Sequence, residues 1–502
     1  MPKRSQSERR APTAALVSLG CPKNLVDSER MLAGLALAGF VITGDADGAD
    51  VAVVNTCAFI DLARAESDQH LDELEALKRA GRLGWIVVAG CMAQRYGREI
   101  LRRHPAVDAV VGVADREALA DVCASLISEE SKDHGRTRPA VARESRSAQP
   151  RAAVPQHHAV IRVGPHAEAP PDDRERLRLT PRHYAYLRVS EGCDNCCAYC
   201  AIPEIRGPLR SKPPEQVLAE ARELVADGAK ELILIGQDTT GYGRDVAKHH
   251  LAAQLVEESP WRPGRVSANW SLGQLLGELR THVPAPWIRV MYTHPASFGD
   301  DVIDQLAAGP PLLPYVDLPL QHIADKILAD MGRRAGRAEI EKLIDRLRHA
   351  VPHVALRTSF IVGYPGETDR RFEELLAFVE KVRFDHVGVF VYSPEAGTRA
   401  AASAGQVPAA VARRRWDRLM AAAERLAHEA AGWRVGRELE VLVDGPDESG
   451  RLVARHAGQA PEVDSVVLLE PRAAKVGEFA RVRITRAEGY DLVGEVIKGR
   501  SR

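Results

Sequence analysis

Four cysteines lie within eight residues in the stretch EGCDNCCAYCAIP. Cys193, Cys197 and Cys200 form a C-x3-C-x2-C set, and three thiolates on one loop can bind three corners of a four-iron cluster, leaving the fourth iron open. A zinc site made of two CxxC pairs is one alternative, but such sites place about 12 to 20 residues between the pairs. A strained disulfide cluster is the other. We interpret Cys196 as a neighbouring thiol without a role in ligation.

Three further cysteines each follow a short apolar run. Cys21, Cys57 and Cys91 end the segments ALVSLGC, DVAVVNTC and WIVVAGC. If these runs are parallel strands, the three thiols lie at the carboxyl edge of one sheet, where open α/β folds bind ligands. This repetition favours a second cluster with three protein ligands and one open iron. The alternative is that each is a small buried core residue, which is our interpretation of Cys123 in ALADVCASLI.

The elements that must position these cysteines differ along the chain. Up to about residue 127, apolar runs alternate with helical stretches, which predicts a flavodoxin-like parallel sheet domain over residues 11–127. Residues 128–178 are rich in Pro, Arg, Ser and acidic residues and lack periodicity, so we predict a linker or insertion. The sequence therefore predicts an N-terminal domain that is separate from the rest of the chain.

A second series of strand and helix patterns occupies residues 179–430. Six apolar strands alternate with amphipathic helices, which predicts an open (β/α)6 barrel whose chemistry lies at the carboxyl ends of the strands. Residues 246–269 interrupt the pattern and are predicted to form a long loop. Short alternating strands over residues 431–502 predict a small all-β barrel.

The composition is that of an ordinary globular protein. Hydrophobic residues make up 45% of the chain, charged residues 27%, and the formal net charge of −1 gives no general attraction to nucleic acid or membranes. The basic N-terminal segment lacks the apolar stretch of about 7 to 15 residues that a secretory signal contains. No run reaches the length of a membrane span. We expect a cytoplasmic protein without a membrane partner, in which clustered cysteines serve metals or catalysis.

The C-x3-C-x2-C set, with Tyr199 just before its last cysteine, resembles the signature of the radical S-adenosylmethionine superfamily. The resemblance implies that the open iron binds the amino and carboxylate groups of S-adenosyl-L-methionine. It also implies that the reduced cluster cleaves this cofactor to a 5′-deoxyadenosyl radical. Tyr199 and residues at later strand ends are the candidate cofactor-binding positions, the latter being Gly236, Gln237, Asp238, Gly363, Gly366 and Glu367. For each glycine alone, a tight turn is the alternative.

Taken together, the domain with three cysteines, the barrel and the terminal β domain resemble the methylthiotransferases, whose terminal domain is an OB-like barrel of the TRAM type. One branch of that family modifies an adenosine of transfer RNA, and the other an aspartate of small-subunit ribosomal protein S-twelve. SLGCPKNLVDSE, NTCAFID, LTPRHYAYLRVSEGC and APEVDSVV are similar to the ribosomal-protein branch. The transfer RNA branch typically has a GCQMN-like sequence where this chain has GCPKN.

The resemblance implies two [4Fe-4S] clusters and two molecules of S-adenosyl-L-methionine. Removing hydrogen from an unactivated carbon exceeds what a side-chain base can do, so a cofactor-derived radical performs that step. One S-adenosyl-L-methionine would methylate sulfur held at the N-terminal cluster, and the second would give the radical that takes a hydrogen atom from the β-carbon of the target aspartate. An electron donor and a sulfur source are the further partners implied. The sequence identifies no catalytic residue beyond the cluster ligands.

Two other functions compete with this interpretation. The first is methylthiolation of transfer RNA, and the second is a non-catalytic iron–sulfur protein that binds RNA or transfers electrons. Lys and Arg equal Asp and Glu in number between residues 434 and 502, whereas phosphate recognition relies on clustered Lys and Arg. The balance favours a protein target over nucleic acid. A barrel with glycine-rich strand ends also exceeds what electron transfer requires.

Overall fold

A computed structural model of the chain describes residues 10–133, 159–245 and 270–497. These residues form two units. The first contains the described residues up to 167 together with 175–179 and 204–206, and the second contains 168–174, 180–203 and the described residues from 207 onward. The loop predicted at 246–269 lies outside the described residues. In the described part of the chain, no helix is both long enough and apolar enough to cross a bilayer.

The first unit is a parallel sheet of six strands in the order β2-β1-β3-β4-β5-β6. In chain order its elements are β1 (Thr13–Ser18), α1 (Pro22–Leu37), β2 (Val41–Thr43), β3 (Val51–Thr56), α2 (Asp61–Arg79), β4 (Trp85–Gly90), α3 (Cys91–Arg103), β5 (Ala109–Gly112), α4 (Leu119–Asp133) and β6 (Val160–Arg162). β3 is buried along its whole length, as expected for a strand covered on both faces. The predicted parallel sheet domain is confirmed.

The structure differs from the linker prediction at Val160–Arg162. These residues form β6, which pairs in parallel with Ala109–Val111 of β5 at the edge of the sheet. An edge strand of three residues, two of them exposed, leaves little periodicity for sequence analysis to detect. Part of the 128–178 interval therefore completes the first unit.

The second unit contains a barrel of six parallel strands in the order β14-β13-β12-β11-β10-β7. Its elements are β7 (Tyr184–Arg188), β8 (Ser190–Glu191), α5 (Ile202–Arg206, ending in the first unit), β9 (Arg210–Ser211), α6 (Pro214–Ala226), β10 (Glu231–Ile235), α7 (Leu272–His282), β11 (Trp287–Val290), α8 (Asp300–Ala307), β12 (Leu312–Asp317), α9 (Asp325–Asp330), α10 (Arg337–Ala350), β13 (Ala355–Val362), α11 (Asp369–Val382), β14 (His386–Val391) and α12 (Ala409–Gly432). The predicted open (β/α)6 barrel is confirmed.

Helix α7 illustrates why these sequences form the outer layer of the barrel. Ser271 caps the helix and exchanges hydrogen bonds with Gln274, in a capping box that satisfies two backbone donors. Its buried leucines recur at helical spacing and join the core that contains strands β10 and β11: Leu272, Leu275, Leu276 and Leu279.

The terminal β domain is a closed barrel in the order β15-β16-β17-β19-β18. Its strands are β15 (Glu438–Pro446), β16 (Leu452–His456), β17 (Val467–Leu469), β18 (Phe479–Glu488) and β19 (Asp491–Val496). Alternate residues such as Val441 and Val443 of β15 are fully buried in its core, which is the alternation that the sequence predicts for a small barrel.

A buried ionic network joins the terminal β domain to the amino ends of the (β/α)6 barrel strands. Glu231, the first residue of β10, accepts hydrogen bonds from Arg289 Nε at 2.6 Å and from Arg455 Nη1 of the terminal domain at 2.7 Å. Tyr184 donates to Glu462 at 2.9 Å, and Tyr315 to Asp464 at 2.8 Å. Burial alone would raise the pKa of Glu231, but Arg289 and Arg455 hold it below its usual value. We call these contacts the basal ionic network.

We expect Glu231→Gln to lower the free energy of unfolding of the second unit by about 3 to 5 kcal/mol, because it removes the carboxylate of the buried Arg289 and one of the two carboxylates of the buried Arg455. Urea unfolding of the full chain measures this. Glu478→Gln, which removes an exposed partner of Lys230, is the matched control and should change the unfolding midpoint little. If both variants lost the same free energy of unfolding, the basal ionic network would not be a major source of stability.

Candidate functional site

Three cysteines of the first unit lie at one edge of its sheet. Cys21 is the N-cap of α1, Cys57 directly follows β3, and Cys91 is the first residue of α3. Strands β1, β3 and β4, which precede them, are neighbours in the sheet, so their carboxyl ends adjoin. Two of the three thiols therefore lie at helix N-termini, where a negative thiolate is favoured.

Two glycines allow the segments next to these cysteines to pack closely. Gly20 has a φ of +93°, and a Cβ there would lie 2.8 Å from Cβ of Cys57 and 3.1 Å from its Sγ. Gly90 has a φ of +89°, and a Cβ there would lie 2.1 Å from Oδ1 of Asn55. Neither position accepts another residue without moving the backbone.

A polar shell surrounds Cys91. Asn24 donates from Nδ2 to the carbonyl oxygens of Leu19 and Thr56, both at 2.9 Å. These two bonds fix the orientation of the amide and leave its Oδ1 to accept from another group. That oxygen accepts a hydrogen bond from Arg206 Nη2 at 2.7 Å, and the same nitrogen lies 3.3 Å from Cys91 Sγ. The shell therefore places one buried cation against one of the candidate ligands.

Burial is the main influence on these thiols. It raises the pKa of Cys91 to about 12, with the nearby Arg206 charge opposing it and Cys57 and Cys21 adding to it. Burial and the proximity of Cys21 also raise the pKa of Cys57, again against Arg206. Thiols so close that their charges act on one another would repel as free thiolates. A bound metal removes this conflict because it deprotonates its thiol ligands.

The C-x3-C-x2-C set of the second unit lies on the loop that follows β7 and β8. Cys193 donates its backbone N–H to the Gly207 carbonyl at 3.1 Å, and Cys200 donates to the Cys197 carbonyl at 3.2 Å. Burial raises the pKa of Cys193 to about 11 and that of Cys200 to about 12. The loop lines a cavity of about 470 Å³ together with Arg399 and others.

Asp238 supports this loop through Asn195. The carboxylate of Asp238 accepts a hydrogen bond from Asn195 Nδ2 at 2.6 Å, and that amide nitrogen and the backbone N–H of Asn195 each lie 3.4 Å from Cys193 Sγ. Asp238 also accepts from Thr240 Oγ1 at 2.6 Å. The structure therefore brings a predicted cofactor-binding residue to the cysteine loop, in a supporting position.

Gly236 and Gln237 lie beside β8, just after β10 ends. A Cβ at Gly236 would lie 2.7 Å from Ser190 Oγ. Gln237 donates from Nε2 to Glu191 at 2.8 Å, while its Oε1 and Ser190 Oγ are buried with no hydrogen-bond partner among the described residues. Buried polar atoms usually have partners, so a polar ligand such as S-adenosyl-L-methionine fits these strand ends.

Tyr199 packs in a separate apolar cluster at the same end of the barrel. Its neighbours there include Ile327, Met331 and Tyr364. Burial and the nearby thiols of the loop hold the pKa of Tyr199 well above its usual value, so the phenol stays neutral. The side chain therefore anchors the loop next to Cys200.

The residues predicted at the end of β13 form a turn with internal partners. Gly363 has a φ of +77° and donates its N–H to Glu367 Oε2 at 2.5 Å; Gly366 has a φ of +80°. Glu367 also accepts from Arg415 Nη1 at 2.8 Å and lies 3.2 Å from His322 Nε2. These contacts satisfy the carboxylate within the protein. A direct contact of this turn with a cofactor stays a prediction.

The donor sets fit the groups that the sequence predicts. Each predicted set offers three thiols, which would leave one iron of a cubane cluster open. N–H groups directed at sulfur, from Asn195 to Cys193 and from Ile202 to Cys200 at 3.5 Å, are typical of cluster environments. Assignment of the six cysteines as ligands stays a prediction.

Three supporting residues were missed by sequence analysis: Asn24, Asn195 and Arg206. Each lies within six residues of a candidate ligand, which is the one signal that sequence offers for them. Polar residues near cysteines are common, however, and only the fold shows which of them contact sulfur.

Three family profiles match the chain. The Radical SAM superfamily matches residues 187–379, the family described as "Uncharacterized protein family UPF0004" matches residues 13–112, and the TRAM domain matches residues 435–497. Among solved structures, the radical S-adenosylmethionine methyltransferase TsrM from Kitasatospora setae aligns over 92% of this chain and 81% of its own, with 13% identity and a TM-score of 0.47.

Curated relatives extend over nearly the whole chain. The ribosomal protein uS12 methylthiotransferase RimO of Geobacter sulfurreducens is 41% identical over 485 residues, which cover 96% of this chain and 98% of the relative. The protein of the same name from Desulforamulus reducens is 39% identical over 488 residues, covering 97% and 99%. The chain therefore belongs to the radical S-adenosylmethionine methylthiotransferases, in the ribosomal protein uS12 branch of that family.

Proposed function

We propose that this enzyme attaches a methylthio group to the β-carbon of an aspartate of ribosomal protein uS12. The reaction would use two molecules of S-adenosyl-L-methionine and two [4Fe-4S] clusters, one in each cysteine set. The observation that supports it most is that each unit carries its own set of three cysteines, one set at the carboxyl ends of three neighbouring parallel strands and the other on a single loop after β7 and β8. A ribosomal target supports a cytoplasmic location for the reaction.

The two cysteine sets would have different tasks. When bound, the barrel cluster supplies the electron that cleaves S-adenosyl-L-methionine, and the cluster of the first unit supplies the site for sulfur. In the barrel, Asn195 and Asp238 would hold the loop that contains Cys193. Gln237 Oε1 and Ser190 Oγ, both buried and without protein partners among the described residues, would hydrogen-bond the cofactor. In the first unit, Arg206 would hold the thiolate of Cys91, and Asn24 would orient Arg206.

The choice of a protein substrate is supported by the relatives and by the terminal β domain. The relatives are named for ribosomal protein uS12 and match nearly the whole of this chain. The terminal domain has equal numbers of basic and acidic residues. Several of its arginines also pair with carboxylates, as Arg455 does with Asp444 and Arg483 with Glu438. Cations neutralised in this way contribute little to phosphate binding.

We expect mass spectrometry to find a methylthio group on an aspartate of uS12 after incubation with anaerobically reconstituted enzyme, S-adenosyl-L-methionine, sulfide and a chemical reductant. Transfer RNA offered in parallel should stay unmodified. Without added sulfide, methylthio transfer should stop after the first turnovers, because each turnover consumes sulfur. Modification of transfer RNA alone would contradict the proposed substrate, while leaving the family and the fold unchanged.

A further inference from the structure

Arg206 is a buried cation whose position the sequence patterns do not explain. It is 1% exposed, and α5, which it ends, begins shortly after the C-x3-C-x2-C set. Its Nη2 nevertheless lies 3.3 Å from the Sγ of Cys91, within the first unit. We infer that Arg206 is a positioning residue that sets the reduction potential of the cluster on Cys21, Cys57 and Cys91. This inference rests on the proposed function.

The geometry directs the guanidinium at sulfur rather than at a carboxylate alone. Nη2 is shared between Asn24 Oδ1 at 2.7 Å and Cys91 Sγ, while Nη1 pairs with Asp27 Oδ2 at 2.9 Å. Asp27 is itself only 1% exposed and has a second cation, Arg116, at 3.4 Å. These buried partners fix the guanidinium on both sides. One N–H therefore remains directed at the sulfur of Cys91 when side chains at the surface move.

Asn24 helps to orient this donor. Its Oδ1 accepts a hydrogen bond from Arg206 Nη2 at 2.7 Å and lies 3.5 Å from Cys91 Sγ. Arg206 Nη2 therefore contacts both the amide oxygen and the sulfur, and the amide helps to hold the guanidinium next to Cys91.

A positive charge and an N–H···S hydrogen bond next to a cluster both shift its reduction potential in the same direction. Reducing a cluster adds negative charge, and a nearby cation stabilises the more negative form. Net charge and hydrogen bonds to sulfur are among the factors that set the potentials of iron–sulfur clusters. Because the site is buried, the interaction is weakly screened. Arg206 should raise the potential of this cluster, and Asp27, which partly neutralises Arg206, should lower it.

The experiment isolates the cluster of the first unit in the full-length chain. The background is the enzyme with Cys193, Cys197 and Cys200 all replaced by alanine, which removes the barrel ligands. The protein is reconstituted with iron and sulfide, its iron is counted, and its midpoint potential is measured by a redox titration followed by electron paramagnetic resonance. Into this background we introduce Arg206→Met, Arg206→Lys or Asp27→Asn.

We expect Arg206→Met to shift the midpoint potential to a lower value and Asp27→Asn to shift it to a higher one. Arg206→Lys keeps the charge and should retain part of the difference. Arg176→Met is the matched control, because Arg176 is equally buried in the same unit and pairs with Glu29 at 2.9 Å. It should leave the potential unchanged even if it destabilises the fold. A purely structural role of Arg206 would not give shifts of opposite sign.

Two different failures can be told apart. If the background chain binds no cluster, the proposed function fails and this inference fails with it. If the background binds about four iron atoms per chain but Arg206→Met and Arg176→Met leave the same potential, the inference alone is wrong. In the otherwise unmodified enzyme, the inference further requires Arg206→Met to slow methylthio transfer more than formation of 5′-deoxyadenosine.

Discussion

Replacing Cys21, Cys57 and Cys91 by alanine is expected to stop methylthio transfer while leaving cleavage of S-adenosyl-L-methionine intact. Changes in the second shell of a metal site already cost about 10- to 100-fold, so loss of all three ligands should reduce transfer at least about 100-fold. Formation of 5′-deoxyadenosine should continue, because the proposed ligands of the cluster that cleaves S-adenosyl-L-methionine lie on the barrel loop and are unchanged. Chromatography of the nucleoside and mass spectrometry of the uS12 peptide measure the two reactions in one mixture.

Cys123→Ala is the matched control for this triple variant. Cys123 is a fully buried cysteine of the same unit, in the core formed by α4 and the sheet, and burial raises the pKa of its thiol to about 12. Its replacement should leave iron content and both reactions near wild-type values. Methylthio transfer that survives in the triple variant would rule out a sulfur-supplying cluster in the first unit.

Replacing Cys193, Cys197 and Cys200 by alanine should abolish both reactions. Without the barrel cluster there is no source for the electron that cleaves S-adenosyl-L-methionine, and without the radical no hydrogen leaves the target carbon. Iron content should fall from about eight to about four atoms per chain. Iron analysis and the same chromatographic assay test this result.

Cys196→Ala distinguishes the spacing of the set from the mere number of cysteines. Cys196 is exposed on the same loop, and its carbonyl oxygen, not its thiol, contacts Arg399 at 2.5 Å. We expect this variant to retain its iron and its activity. If Cys196→Ala loses the barrel cluster as completely as Cys197→Ala, the C-x3-C-x2-C assignment is wrong and the fourth cysteine is a ligand.

Sequence patterns predicted most of the architecture because the patterns are strong. The buried strand β3 has the sequence VAVVNT, and the helices show apolar residues at helical spacing, so parallel strands and covering helices are expected directly. Once the strands are parallel neighbours, their carboxyl ends must lie at the same edge of the sheet. This is why Cys21, Cys57 and Cys91, which are distant in sequence, were expected at one edge of a sheet. The family and the three-part fold were both confirmed.

The polar surroundings of the cysteines could not be predicted in the same way. Arg206 contacts Asn24 and Cys91, from which it is separated by 182 and 115 residues. Such contacts depend on how a loop returns to a distant strand end, and neither hydrophobic periodicity nor spacing encodes that return. For Glu367, the sequence indicated a place at a strand end but not that Gly363, His322 and Arg415 would satisfy its carboxylate.

The basal ionic network has a consequence for the way domains of this enzyme can be separated. Through this network the terminal β domain covers the amino side of the (β/α)6 barrel, and its contacts come from Arg455, Glu462 and Asp464. A truncated chain without that domain would expose Glu231, Tyr184 and Tyr315 to water and remove the partners of their polar groups. We therefore expect truncation to destabilise the barrel, so that loss of activity in a truncated enzyme would reflect a damaged barrel rather than a lost surface for ribosomal protein or RNA.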